Sequence, residues 1–149
     1  MIKIAHESPK EVFEEVQSLT DYDYALVHLF EEDEEYLTQF KKARDKGREI
    51  ILDNSIFELE EAFDADKFNY WVNEFKPSWY IVPDALEDAD KTCDQMEDWI
   101  NKGFGYEGSG KIGVVQGKTY DEIVDCYNYM NKSADVDMIA ISFDYSYYS

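Results

Sequence analysis

The sequence predicts an α/β protein of parallel (βα) repeats, resembling a partial TIM barrel with about six of its eight units. Three observations carry this. Short apolar runs alternate with longer amphipathic stretches along the whole chain. The apolar runs are continuous rather than alternating with polar residues, as strands covered on both faces are. The period is about 20–30 residues with no linker or low-complexity segment between units, so residues 1–149 read as a single (βα)-repeat domain.

Each element has its own signal. The first strand is expected over residues 2–5. Ser8-Pro9 then opens a helix, with Ser8 as N-cap, Pro9 at the first helical position and Glu11 three residues after the cap. Val12, Phe13, Val16 and Leu19 form its apolar face. A second strand is expected over 24–29 and an acidic helix over 33–46, ended by Gly47. The third strand, 49–52, precedes a helix over 64–75 that stops at Lys76-Pro77. The fourth strand is 79–82 and the next helix 88–101. A Gly-rich turn, 103–110, leads into the fifth strand, 111–115. Thr119 caps a helix over 120–130, with Glu122 in the capping-box position, and the sixth strand is 138–142. Six units make an incomplete barrel, which leaves two architectures: a fragment of a longer barrel, or an open doubly wound sheet.

Composition bounds the function. Residues are 44% hydrophobic and 16% aromatic, which excludes a disordered chain. No apolar run approaches the roughly 18 residues needed to span a bilayer. The N-terminus has no basic region followed by an apolar stretch, so no membrane partner and a cytoplasmic location are expected. The two cysteines, Cys93 and Cys126, sit in separate expected helices without metal-ligand spacing and read as reduced thiols. Fourteen Lys and Arg oppose 34 Asp and Glu, a formal net charge of −20 that repels phosphate backbones. Lys41-Lys42-Ala43-Arg44 is the only dense basic patch.

Parallel α/β folds bind ligands at the carboxyl ends of their strands. Those ends carry, in order, His6-Glu7-Ser8, His28, Asp53-Asn54-Ser55, Pro83-Asp84, Gln116-Gly117-Lys118 and Ser142-Phe143-Asp144. Asp53 and Asp84 offer carboxyl groups for acid–base work. Gln116 offers an amide that both donates and accepts, and Gly117 leaves room for a ligand to approach the backbone. A metal held by Asp53, Asp84 and the histidines would need long-range convergence, so neither a metal nor a cofactor is assigned. The glycines of 103–110 precede a strand, not a helix, so they do not form a phosphate-binding loop, and no G-x-S-x-G elbow occurs.

Four of these segments resemble parts of the tRNA-guanine transglycosylase superfamily, (βα)₈ barrels that exchange a nucleobase. Asp53-Asn54-Ser55-Ile56-Phe57 resembles the family's Asp-Ser-Gly-Gly-Phe, with the Asp and Phe kept and the glycines replaced. Asp84, in Val82-Pro83-Asp84, matches the aspartate that reads the guanine edge. Gly113-Val114-Val115-Gln116-Gly117-Lys118 resembles Gly-Ile-Val-Gln-Gly-Gly. Residues 139–143 match a strand whose backbone contacts the base. The resemblance covers roughly residues 49–144 and is to a divergent, viral-type (phage) member whose C-terminal part is missing. It implies Asp53 as the acid–base residue and Asp84 and Gln116 as holders of a purine-like base. Gly117, Phe57, Ser142, Asp144, His6 and His28 would complete the substrate site. The family's nucleophilic aspartate follows a later strand, its Cys-x-Cys-x-x-Cys zinc motif has no counterpart here, and a basic tRNA-binding surface is absent.

Three functions follow. The first is a transglycosylase-like pentosyltransferase with a purine or 7-deazaguanine pocket, exchanging a base on nucleic acid if the catalytic set is complete. The second is a non-catalytic nucleobase-binding module. The third is an acidic DNA mimic or inhibitor that acts by surface charge. Nucleic acid would bind only if a longer chain or a partner supplied basic surface. Open strand edges would favour a homo-oligomer.

Overall fold

The computed structural model describes residues 1–142. Its strands are β1 (Ala5–His6), β2 (Tyr22–Leu26), β3 (Glu49–Asp53), β4 (Trp79–Ile81), β5 (Gly110–Val115) and β6 (Met138–Ile141). Its helices are α1 (Phe13–Gln17), α2 (Val27–Glu32), α3 (Glu34–Asp45), α4 (Ile56–Leu59), α5 (Ala65–Phe75), α6 (Ala89–Asn101) and α7 (Tyr120–Lys132). Every strand pairs in parallel with the next in sequence, giving the order β1-β2-β3-β4-β5-β6. Parallel crossovers are right-handed, so six strands added in one direction put their helices on one face and curl the sheet into a half-barrel. The reversal of strand order that an open doubly wound sheet requires is absent among the described residues.

One-sided covering shows in the burial. Ile50 and Leu52 point at the helices and are fully buried, whereas Glu49, Ile51 and Asp53 on the same strand face the concave side and are half-buried. The sequence suggests strands covered on both faces, yet helices cover one face only: β2 and β3 alternate in burial, and the concave face of β3 carries Glu49 and Asp53. The core between sheet and helices is aromatic. The Phe30 and Phe75 rings lie 4.9 Å apart and those of Tyr36 and Phe40 4.7 Å. Trp99 packs 5.6 Å from Tyr80 and donates its indole N–H to that phenol. At the amino end of the sheet, the buried Asp23 carboxylate is held by Arg48 at 2.8 Å and by the Gln17 amide at 2.6 Å.

Several local signals act as expected. Thr119 and Glu122 form a capping box. The side chains of Asp33, Asp64 and Asp88 also cap α3, α5 and α6, local signals that the sequence reading did not use. Gly47, at φ 87°, closes α3, with Gly47 N–H donating to Arg44 O and Arg48 N–H to Ala43 O.

Others differ. Ser8 caps nothing: Pro9 precedes a short 3-10 turn, Lys10–Val12, before α1, and Lys10 is drawn instead to Asp33 and Glu35, each at 2.9 Å. Of the expected apolar face of this helix, Phe13 is buried while Val12 and Leu19 are exposed. The first strand lies at Ala5–His6, leaving Ile2 and Ile4 exposed, so His6 is part of the strand rather than beyond it. The second strand stops at Leu26, whose N–H donates to the Tyr36 hydroxyl, and Val27 to Leu29 turn into α2. Helix α4, directly after β3, carries no signal that the sequence reading used.

Candidate functional site

The carboxyl ends of β3, β4 and β5 bring Asp53, Asp84 and Gln116 to one end of the half-barrel. Asp84 is buried, and each of its oxygens accepts from an amide: Asn54 Nδ2 to Oδ1 at 2.7 Å and Gln116 Nε2 to Oδ2 at 2.7 Å. Asn54 also donates to Val82 O at 3.0 Å and accepts from Ile56 N–H at 3.1 Å. Gln116 Oε1 accepts from Glu87 N–H at 3.0 Å. Burial pushes the Asp84 carboxyl above the usual range, and the Gln116 and Asn54 amides pull it back. Three chain segments are thereby tied through one carboxyl group.

Asp53, the last residue of β3, sits on the concave face beside Tyr24 of β2. It accepts from Ser55 N–H at 3.1 Å. Burial pushes its carboxyl up to about 7; the Ser55 N–H and the Tyr24 side chain favour the charge, while Glu58 and Asp84 oppose it. Burial, with the Asp53 charge next, holds the Tyr24 phenol protonated far above its ordinary value. Asp53 therefore exchanges its proton near neutral pH next to a phenol that keeps its own.

The turn between β3 and α4 is held in an uncommon shape. Ser55 is fully buried at φ 63°, a left-handed conformation that a non-glycine residue rarely adopts. Its hydroxyl lies 2.7 Å from His28 Nδ1 and accepts from His28 N–H at 3.2 Å. His28 thus reaches the same end of the sheet from the first turn of α2.

The remaining expected residues are spread more widely. Phe57 lies on α4 and is 61% exposed. His6 is exposed, its Nδ1 donating to Glu7 O at 2.6 Å. Ser142 is half-buried just after β6. Asp144 lies outside the described residues. Gly117 faces α7 rather than a ligand: an added Cβ would lie 2.9 Å from Glu122 Cβ and 3.0 Å from Ile123 N, so its smallness admits the helix. A cleft of about 290 Å³ opens beside this loop, lined by Glu87, Asp88, Asp90, Lys118 and Glu122 among others. Among the described residues no group of His, Cys, Asp and Glu is arranged to hold a metal ion.

Tyr24 and Asn54 are the site residues that sequence reasoning missed as functional groups. Asn54 reads as a turn residue beside Asp53. Tyr24 reads as strand interior, though its spacing from Tyr22 and Leu26 places all three on one face. The fold and site together define a parallel α/β half-barrel with a buried carboxyl–amide network at the carboxyl end of its strands. No family model, curated protein or solved structure matches the chain. No helix among the described residues is long and apolar enough to cross a membrane.

Proposed function

We propose that the carboxyl end of the half-barrel is a nucleobase pocket of transglycosylase type, taking a purine or 7-deazaguanine, with Asp53 as the group that moves a proton. The observation that carries this is the Asp53 carboxyl, held near pKa 7 on the concave face beside a protonated Tyr24. An acid–base group works best when its pKa lies close to the working pH. Asp84 and Gln116 are bonded to each other at 2.7 Å. In the proposal a purine edge takes over that bond: its ring N–H donates to Asp84, and the Gln116 amide turns to the remaining edge. Base exchange in the resembled family also uses a nucleophile after a later strand, so the role proposed for these residues is base binding and proton transfer.

Calorimetry with guanine and a 7-deazaguanine tests it on the wild type and Asp84→Asn. Loss of the acceptor should weaken binding by about 1–3 kcal/mol, roughly 5- to 150-fold. Thermal melts of the same samples separate a lost contact from a lost fold. Absence of purine binding by the wild type, or unchanged affinity in a folded variant, removes the proposal. A second reading, an acidic inhibitor that occupies a basic groove, is favoured by the net charge of −20. It would leave no role for Asp84, and its binding to a basic partner would fall steeply with salt.

A further inference from the structure

Cys93 on α6 and Cys126 on α7 stand 33 residues apart in sequence, and the fold brings their sulfurs to 3.7 Å. Both are free thiols. The pair is asymmetric. Cys93 is half-buried and donates its S–H to Cys126. Cys126 is buried against the end of β5, where its sulfur accepts from Gln116 N–H at 3.5 Å. A disulfide bond is about 2.05 Å long, so closing the pair requires the sulfurs to approach by about 1.7 Å.

We propose that Cys93 and Cys126 form a modification site that closes to an intramolecular disulfide on reaction with a glutathione-type disulfide, and that closure withdraws Cys126 from the Gln116 backbone. The steps balance. The Cys93 sulfur, as thiolate, attacks one sulfur of oxidised glutathione; a Cys93–glutathione bond forms and one glutathione thiolate leaves, taking up the proton that Cys93 gave. Cys126, as thiolate, attacks the Cys93 sulfur; the protein disulfide forms and the second glutathione leaves and takes up the Cys126 proton. Two protein thiols are oxidised and one glutathione disulfide is reduced to two thiols.

The environment divides these roles: the hydrogen bond to Cys126, and then burial, hold the Cys93 thiol well above its ordinary value, so its ionisation limits the first step. Cys93 is the more exposed of the two residues, and the proposal assigns it the first attack. Cys126 is the resolving group: in the reduced pair the hydrogen bond from Cys93 and then the Gln116 N–H bring it down to about 7 against the effect of burial, and in the adduct, where Cys93 no longer donates, the Gln116 N–H still favours its thiolate. Gln116 is also the residue whose side chain holds Asp84. The redox state of the pair therefore reaches the candidate base site through one residue. That consequence rests on the function proposed above; the thiol chemistry does not.

The test is to incubate the full chain with oxidised glutathione, block residual thiols by alkylation at intervals and map the peptides by mass. The wild type should pass through a Cys93–glutathione adduct to a Cys93–Cys126 crosslink, reversed by a thiol reductant. Cys126→Ser should stop at the adduct. In the wild type, the rate of the second step should rise with pH, because Cys126 must ionise to attack. Amide hydrogen exchange at Gln116 should quicken in the oxidised form. A persistent adduct without a crosslink, thiols that never react, or crosslinks only between chains would overturn the proposal. Closure with an unchanged Gln116 amide would overturn its link to the pocket, whatever calorimetry says of purines.

Discussion

Asp53→Asn isolates one buried carboxyl with little change of shape. The Asn amide can still accept from Ser55 N–H and face Tyr24, but it cannot titrate. The wild-type group has its pKa raised from 3.8 to about 7, chiefly by burial. Below 3.8 both folded and unfolded chains are protonated there and the burial is harmless. As pH rises from 3.8 towards 7 the unfolded carboxyl ionises first, the folded state holds more protons, and stability is lost until the folded group has ionised too. Between about pH 5 and about pH 8 this amounts to roughly 2.5 kcal/mol, integrated over the two titrations. A urea midpoint falls by about 1 M for that change at an ordinary slope. Urea titrations followed by tryptophan fluorescence, at both pH values and on both proteins, give the answer. The wild type should lose about 2.5 kcal/mol more than Asp53→Asn over the interval, other groups cancelling in the difference. Parallel shifts in the two proteins would refute the raised pKa and with it the acid–base role.

Three other perturbations follow from the same geometry. Asn54→Ala removes the donor to both Val82 O and Asp84 and leaves a buried carboxyl short of a partner. A loss of about 2–4 kcal/mol is expected in thermal melts, and a loss below about 0.5 kcal/mol would show that the network is dispensable. Gly110→Val places a side chain where the Trp79 ring lies, at the Trp79–Gly110 register of β4 and β5, and should cost about 1–3 kcal/mol with a shifted tryptophan emission. Sedimentation should show a dimer or larger species, because β1 and β6 each pair on one side only among the described residues; a clean monomer at high concentration would count against edge pairing.

The parts of the fold legible in the sequence are those set by neighbours along the chain. The capping box at Thr119 and Glu122 and the Gly47 terminus each involve groups within a few residues, and each appears as read. The misread parts are those decided across the fold. Val27-His28-Leu29 continues an apolar run and reads as strand, yet Leu26 N–H goes to Tyr36 and His28 N–H to Ser55, 27 residues away. Ser8 and Glu11 look like a cap, yet the turn is set by Pro9 and by the pull of Asp33 and Glu35 on Lys10. The cysteines look isolated because their contact spans 33 residues. Neither hydropathy nor spacing encodes such pairings.

The site follows the same division. That Asp53, Asp84 and Gln116 share one end of the sheet follows from topology, since each succeeds a parallel strand. What topology cannot assign is the division of labour between the two carboxyl groups. Asp84 meets two side-chain amides, one on each oxygen, inside a closed layer where it is 3% exposed. Asp53 meets one backbone N–H and one phenol, on a face that the helices do not cover. The first environment spends its hydrogen bonds on joining β3, β4 and β5, so a substitution there acts on the position of Gln116 as much as on any ligand. The second leaves a proton in play at neutral pH. The two aspartates, which the family resemblance assigns to acid–base work and to base binding, thus differ in their partners: Asp84 ties three segments together, and Asp53 carries the raised carboxyl on which the proposed proton transfer rests.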